Sequence, residues 1–341
     1  MIVCYHRSSS LGTLEFCQQK YFLQYNLSFR DKTNKKALMG TITHKVMQTL
    51  GDKKVAILNN LDVVEDEETG RTLTLEECDD LELLNDIAFE YYSSAFPEVN
   101  ITQADKRKCL SWAEKAVAYE GGVLDPRNQD VVATELFFDF EIKKPWAKYS
   151  YELGGKTIEG YLSIKGTVDL ILKQNEEYYE ILDYKTGKRL DWATGEEKTY
   201  SKLQNDTQLL LYYYALKNMY PDREFSVSIY YINAGGLFSF VFDEDDYKKA
   251  EDILRKKFEQ IRDIQNPRLL SNEHKHWKCQ RLCKFSEEYE NSGKSVCQHI
   301  RDELVEKGVN AVVEEYGVID KITTYGDGGG RLVDDDKKDK K

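Results

Sequence analysis

The chain lacks several features that would assign it at once to a large class of proteins. Its 341 residues include no apolar run of about eighteen residues or more, so we expect no membrane span. Residues 1–7 lack the apolar segment of a secretory signal, which predicts an intracellular, cytoplasmic protein. No Gly-x₄-Gly-Lys-Ser/Thr loop is present, so the chain carries no ATP motor of its own. No Ser-His-Asp or Cys-His arrangement indicates a nucleophilic hydrolase.

Cysteine and charge are present in informative patterns. The seven cysteines are an odd number in an intracellular-looking chain, which favours free thiols or metal ligands over disulfide bonds. The net charge of −12 is uneven: residues 1–60 carry nine Lys/Arg and three Asp/Glu, whereas residues 61–100 carry thirteen acids and the single base Arg71. One acidic insertion therefore accounts for the net charge, and a basic surface elsewhere remains compatible with the composition.

Hydrophobic periodicity predicts a mixed α/β chain. We expect helices over 11–27, from Gly40 to 50, and over 82–95, 103–120, 203–219 and 243–264. We expect strands over 131–142, 149–153, 159–172, 178–184, 225–232 and 237–242. Residues 51–80 are predicted to form acidic surface loops, and a helix is expected to end near residue 315 before a low-complexity tail.

One predicted hairpin carries the most chemistry. Two apolar runs flank the polar break 174–177, and alternation along the second strand puts Asp183 and Lys185 on the same face. A turn centred on Glu176 would place Asp169 opposite Asp183, with Cβ atoms about 5 Å apart. Facing carboxylates need a cation between them, and Mg²⁺ prefers such oxygen ligands. Asp-x-Lys alone is common on solvated strand edges, so the prediction depends on the neighbouring motifs.

Four motifs occur in a defined order: Gly40-xxx-His44, Gly166-xx-Asp169, Asp183-x-Lys185 and Gln208-xxx-Tyr212. In this order and spacing, about residues 5–300 resemble the RecB-like branch of the PD-(D/E)xK nuclease superfamily, most weakly between 51 and 130. The run Ile-Leu-Asp-Tyr-Lys-Thr-Gly-Lys, which ends at Lys188, is the most specific piece. The resemblance implies a restriction-endonuclease-like core, a central mixed β-sheet flanked by helices, with a helical cap and a Cys-rich C-terminal segment.

The resemblance also implies roles for individual residues. The implied ligands of a catalytic Mg²⁺ or Mn²⁺ are His44, Asp169, Asp183 and the backbone carbonyl of Tyr184. Lys185 would orient the attacking water and stabilise charge on the scissile phosphate. Gln208 and Tyr212, four residues apart on one helix face, would line the site and contact DNA or the lysine. Glu135 could support the site or simply be exposed, and we assign it no role.

A second metal centre is suggested by the cysteines. Cys279, Cys283 and Cys297 lie within about twenty residues, a density that favours metal ligation. Iron-sulfur members of this branch, AddB-like proteins among them, take one further cysteine from the N-terminal helix, and Cys17 matches that position. The resemblance thus implies a [4Fe–4S] cluster that staples the chain ends. Because those relatives usually have a tighter Cys-x₂-Cys-x₅-Cys spacing, a Zn²⁺ site that uses a histidine instead of Cys17 is the alternative. A further alternative is three buried thiols that bind no metal.

These expectations divide the chain into five segments: N-terminal helices (1–60), an acidic insertion with helices (61–130), the nuclease core (131–265), the Cys-rich segment with a terminal helix (266–315) and a flexible tail (316–341). The expected function is metal-dependent cleavage of DNA, favouring single-strand ends, without membrane contact. A helicase or recombination partner would supply unwinding. Two alternatives remain: an inactive nucleic-acid-binding or assembly subunit, and a duplex endonuclease of restriction type.

Overall fold

A computed structural model describes residues 1–31, 33–190, 195–270 and 276–323, together with the backbone of residues 331–332. The chain forms two compact units, each made of separate segments. Unit 1 comprises residues 1–32, 138–166 and 249–341, and unit 2 comprises residues 33–137 and 167–248. None of the helices within the described residues is both long and apolar enough to cross a bilayer.

The strands are β1 (Tyr5–His6), β2 (Phe29–Arg30), β3 (Val63–Asp66), β4 (Arg71–Thr74), β5 (Val131–Glu141), β6 (Lys148–Leu153), β7 (Lys156–Tyr161), β8 (Ser163–Lys173), β9 (Tyr178–Lys185), β10 (Glu224–Tyr231), β11 (Gly236–Val241) and β12 (Arg331–Leu332). The α-helices are α1 (Ser8–Phe16), α2 (Gln18–Tyr21), α3 (Lys35–Leu58), α4 (Leu81–Ala95), α5 (Gln103–Ala118), α6 (Tyr200–Gln204), α7 (Thr207–Met219), α8 (Glu244–Asp263), α9 (Trp277–Leu282) and α10 (Val296–Tyr316).

Unit 2 is organised by a mixed β-sheet. Strand β9 pairs antiparallel with β8, where Leu170 faces Leu182, and parallel with β10, where Ile229 faces Asp183. Strand β11 returns antiparallel beside β10. The parallel pair β9–β10 requires a crossover connection, and helix α7 supplies it. The prediction of a central mixed sheet flanked by helices is confirmed.

Helices α3, α4 and α5 bury one common core with this sheet. Ile42 and Val46 of α3 belong to the same apolar cluster as Leu170, Leu182 and other buried side chains of unit 2. Helix α7 is buried without interruption from Leu209 to Leu216, as expected for a helix that crosses between two central strands. Helices α3, α4 and α5 therefore share one apolar core with the central strands of the sheet.

Unit 1 combines short strands with helices from both chain ends. Strand β1 pairs in parallel with the first residues of β8, and β6 forms a hairpin with β7. Strand β12 pairs in parallel with β2. The amino group of Met1 is a hydrogen-bond donor to the carbonyl of Ile261, 3.2 Å away at the end of α8. The N-terminus is thus fastened inside this unit.

Four predicted elements differ from the observed ones. The prediction of loops over 51–80 is wrong, because α3 continues to Leu58 and residues 63–74 form a hairpin. The predicted helix over 11–27 is broken at Cys17, whose backbone is extended, and it ends in a π-helical turn. The single strand predicted over 159–172 is two strands that meet at Leu162. The helix predicted from 203 begins at Thr207, after Asp206. Of the tail 316–341, residues 324–330 and 333–341 lie outside the described part of the chain.

Candidate active site

Three potential metal ligands converge in unit 2. Ligand atoms of His44, Glu135 and Asp169 all lie within 4.8 Å of one another. The Nδ1 atom of His44 is 3.3 Å from Oδ2 of Asp169, which also accepts a hydrogen bond of 2.9 Å from the backbone N–H of Tyr184. An imidazole and two carboxylates in this arrangement are a donor set for a divalent cation.

The close approach of α3 to the end of β9 puts His44 in place. At Gly40, one turn before His44, a Cβ atom would lie 2.9 Å from Oγ1 of Thr186, so glycine allows the contact. The imidazole of His44 then meets the ring of Tyr184 edge-on, with centroids 6.4 Å apart. The Gly-xxx-His spacing therefore has a packing reason as well as a chemical one.

A second group of side chains surrounds Asp183. Its carboxylate is 2.6 Å from the ammonium of Lys185, and it accepts a hydrogen bond of 3.1 Å from Nε2 of Gln208. Nε2 of Gln208 also lies 2.6 Å from the hydroxyl of Tyr212, one turn further along α7. Thus the four predicted residues Asp183, Lys185, Gln208 and Tyr212 form one connected network.

Asp206, which the sequence reasoning did not single out, anchors the start of α7. Its Oδ1 atom accepts a hydrogen bond of 2.9 Å from the backbone N–H of Gln208, and its Oδ2 atom lies 2.6 Å from the ammonium of Lys198. An Asp at this capping position satisfies a free N–H at the helix start. The first turn of α7, and with it Gln208, is therefore held in position.

The electrostatics of the site reflect crowded carboxylates. Burial raises the pKa of Asp183, and the charge of Asp169 adds to that increase. Burial alone would lower the pKa of Lys185, but the charges of Asp183 and Asp169 outweigh it and raise the pKa. Burial, followed by the charge of Asp169, also raises the pKa of Glu135 to about 8. A bound cation would reduce the repulsion among these carboxylates and lower their pKa values.

Glu135 is the ligand candidate to which the sequence analysis gave no role. Its backbone has φ of 42°, a left-handed value that is unusual for a non-glycine residue within a strand. This conformation interrupts the side-chain alternation of β5, so counting along the strand could not place it. The one available signal was an acid within an otherwise apolar run. Asp183 lies outside the compact group of His44, Glu135 and Asp169. That Asp183 and the Tyr184 carbonyl are metal ligands stays a prediction.

A cavity of about 540 Å³ opens beside the three potential ligands. Besides His44, Glu135 and Asp169, its walls include Lys45 and Gln48 of α3, Glu68 of the β3–β4 hairpin, and Tyr92 of α4. A space of this size is typical of sites that take a small ligand or one portion of a longer one.

The four predicted cluster cysteines line one small cavity of unit 1. Cys17, Cys279, Cys283 and Cys297 share it with apolar side chains such as Leu23, and all four are free thiols. Burial raises the pKa of Cys283 to about 11 and that of Cys297 further, and the mutual influence of the thiolates adds to both shifts. Among the residues that the structure describes, no three of these sulfurs lie within 4.8 Å of one another.

Carboxylates, an imidazole and a lysine gathered on a mixed sheet are the side chains that metal-dependent hydrolases use. The chain belongs to the PD-(D/E)XK nuclease superfamily, whose family model matches residues 8–287. It is therefore a nuclease, a phosphodiester hydrolase that acts on nucleic acid.

Two solved structures are similar at low identity. The first, described as "Putative exonuclease" from Eubacterium rectale, is 10% identical, with a TM-score of 0.45 over 84% of this chain and 90% of that chain. The second, SSO0001, is 17% identical, with a TM-score of 0.22 over 60% of this chain and 83% of that chain. Neither similarity indicates more about function. No curated protein matches the chain.

Proposed function

We propose that this chain is a Mg²⁺- or Mn²⁺-dependent DNA nuclease of the RecB-like branch that degrades single strands from an end. The observation that carries the proposal is the juxtaposition of His44, Glu135 and Asp169 with the Asp183–Lys185 pair. The exonuclease preference and the branch rest on the order and wording of the sequence motifs.

The donor set fits a hard divalent cation. Glu135 and Asp169 are brought together in a half-buried place where their mutual repulsion contributes to the raised pKa of Glu135. His44 adds a nitrogen ligand, and Asp183 adds a further carboxylate on the neighbouring strand. When bound, the cation would polarise the phosphate and lower the pKa of the attacking water.

The remaining side chains would act on charge and orientation. The ammonium of Lys185, kept protonated by Asp183, supplies positive charge beside the position where phosphate charge grows. Gln208 donates to Asp183 and contacts Tyr212, so it fixes the carboxylate that holds the lysine. Where the substrate begins as a duplex, a partner helicase or recombination protein would separate the strands.

A [4Fe–4S] cluster held by Cys17, Cys279, Cys283 and Cys297 is the second part of the proposal. In its support, four free thiols from both ends of unit 1 line the same cavity. A single zinc ion would hold four sulfurs about 3.8 Å apart, given a Zn–S distance of about 2.3 Å. The choice of an iron-sulfur cluster over zinc rests on the resemblance of Cys17 and the C-terminal cysteines to the AddB-like pattern.

Cleavage assays with linear and circular DNA test the proposal. We expect metal-dependent release of short products from linear single strands, little action on circular single strands, and abolition by chelator. Cleavage of circular duplex would instead support a restriction-type endonuclease. Binding without turnover across Mg²⁺, Mn²⁺ and Ca²⁺ would support an inactive binding subunit and overturn the proposal.

A further inference from the structure

The acidic β3–β4 hairpin forms one wall of the active-site cavity. Its turn is ordered by Asp66, whose carboxylate accepts hydrogen bonds from the backbone N–H of Glu68, 3.1 Å away, and from the hydroxyl of Thr69, 2.7 Å away. Glu68 reaches the cavity together with the metal-ligand candidates. An acid here is unexpected, because surfaces that receive nucleic acid are normally basic.

Lys45 fastens this hairpin to the helix that carries His44. Its ammonium is 2.7 Å from Asp66, 3.2 Å from Gln48 and 3.3 Å from Glu68, and its side chain is only 5% exposed. An ammonium has three N–H donors, and these three acceptors match them. Although Lys45 lines the cavity, it is therefore committed to the hairpin, and the two carboxylates outnumber it by one negative charge.

Glu68 is held in a fixed position at this wall. The hydroxyl of Tyr92 donates a hydrogen bond of 2.8 Å to one carboxylate oxygen, and Lys45 contacts the other. The side chain is still 44% exposed, so it can meet a substrate. A rigid carboxylate repels a phosphate but accepts a strong hydrogen bond from a hydroxyl group.

We infer that Glu68 is a specificity-determining residue that selects a strand terminus ending in a free hydroxyl. A strand that continued past the scissile phosphate into this cavity would bring its next phosphate against the acidic wall. A terminal hydroxyl instead donates a hydrogen bond to Glu68. This inference rests on the proposed nuclease function and adds the chemical form of the end that is accepted.

The test compares single-stranded oligonucleotides that carry a hydroxyl or a phosphate at the 5′ end, and separately at the 3′ end. At the end from which degradation proceeds, we expect the wild type to prefer the hydroxyl form by about tenfold in kcat/KM. Glu68→Gln keeps an acceptor for Tyr92 and should reduce the preference to about twofold, by raising the rate on the phosphate form. Glu67→Gln, an exposed neighbour outside the cavity wall, is the matched control and should keep the preference.

Equilibrium binding of the same oligonucleotides in Ca²⁺ separates this inference from the nuclease proposal. Preference for the hydroxyl form in the wild type, lost in Glu68→Gln, supports end selection even if no variant turns over DNA. Equal binding of both forms by the wild type, or an unchanged preference in Glu68→Gln, overturns it whatever the cleavage result.

Discussion

The nuclease site of unit 2 and the cysteine cavity of unit 1 are built from different kinds of backbone. The nuclease residues project from α3, β5, β8, β9 and α7, so strand register and helix spacing determine most of their positions. In the cysteine cavity, Cys17 and Cys283 are extended residues at helix boundaries, while Cys279 and Cys297 lie on α9 and α10. We therefore expect the fold alone to position most of the nuclease residues, and the cysteine geometry to depend on the proposed cluster.

Removal of the central lysine should have the largest effect. Lys185→Ala is expected to reduce kcat about 10³-fold, because a positive charge beside the developing phosphate charge contributes on that order. Single-turnover cleavage measures the loss. Lys188→Ala, an exposed lysine three residues further on, should retain near-wild-type rates. The change also leaves the buried carboxylate of Asp183 without its ion pair, so we expect a lower melting temperature beside the lower rate; equal kcat in both variants would remove Lys185 from the mechanism.

Loss of a proposed cluster cysteine should mainly affect the stability of unit 1 and not the rate of cleavage. Cys297→Ser is expected to abolish the broad visible absorbance of an iron-sulfur protein. It should lower the melting temperature by roughly 5–10 °C, since about 1 kcal/mol shifts it by about 2–4 °C in larger domains. Absorbance spectra, iron content and calorimetry measure these effects. Cys109→Ala, a buried thiol of unit 2, should keep the colour; wild-type protein that is colourless and contains zinc would show that the cluster assignment is wrong.

Glu135 offers a test of preformation within the nuclease site. Its folded pKa of about 8 lies above the ordinary 4.5, so its ionisation opposes folding and stability falls as the pH rises from 4.5 to 8. Glu135→Gln should therefore stabilise the metal-free protein at pH 8 by roughly 3–4 kcal/mol. The same variant should raise the Mg²⁺ concentration for half-maximal cleavage by about 10–100-fold.

Denaturant unfolding in EDTA and metal titration of activity measure the two effects of Glu135→Gln. Glu141→Gln, an exposed acid on the same strand, serves as the control and should change neither quantity. A variant that loses stability in EDTA would contradict the repulsion between Glu135 and Asp169.

The smallest expected effect concerns acid sensitivity, which we assign to unit 1. Burial lowers the pKa of His6 from 6.5 to about 3. Protonation thus favours the unfolded chain, and the stabilisation that is complete above pH 6.5 declines as the pH falls toward 3. Between pH 7 and 5.5 the free energy of unfolding should fall by about 1 kcal/mol. His6→Leu should flatten this part of the profile; the same slope in both proteins would exclude His6 as its source.

The sequence predicts the positions of those site residues that lie on regular strands and helices. The turn centred on Glu176 predicts the β8–β9 register, and the observed pairing of Leu170 with Leu182 has the same centre. The Gln208-xxx-Tyr212 spacing likewise predicts the contact found on α7. These features follow from constant repeats along a strand or helix.

Features that the sequence does not predict lie where the backbone departs from such repeats. The position of the Glu135 side chain is not predicted because its left-handed conformation breaks strand alternation. The hairpin over 63–74 is missed because residues 51–80 are polar and acidic as a whole. Val64 and Leu73 are nevertheless buried in the core, and the contact of Lys45 with Asp66 orders the turn. Asp206 caps the N-terminus of α7, so this helix begins at Thr207 and not at 203 as predicted. Apolar periodicity does not reveal a cap that lies within a predicted helix.

At Glu135 the stability of the fold and the proposed metal binding favour different residues. A non-glycine side chain in the left-handed region carries strain of about 1–3 kcal/mol, which glycine would relax. Any variant chosen only for heat resistance would therefore tend to replace this acid and lose a candidate metal ligand. Homologous chains with glycine at the position of Glu135 are expected to fold well but to lack nuclease activity.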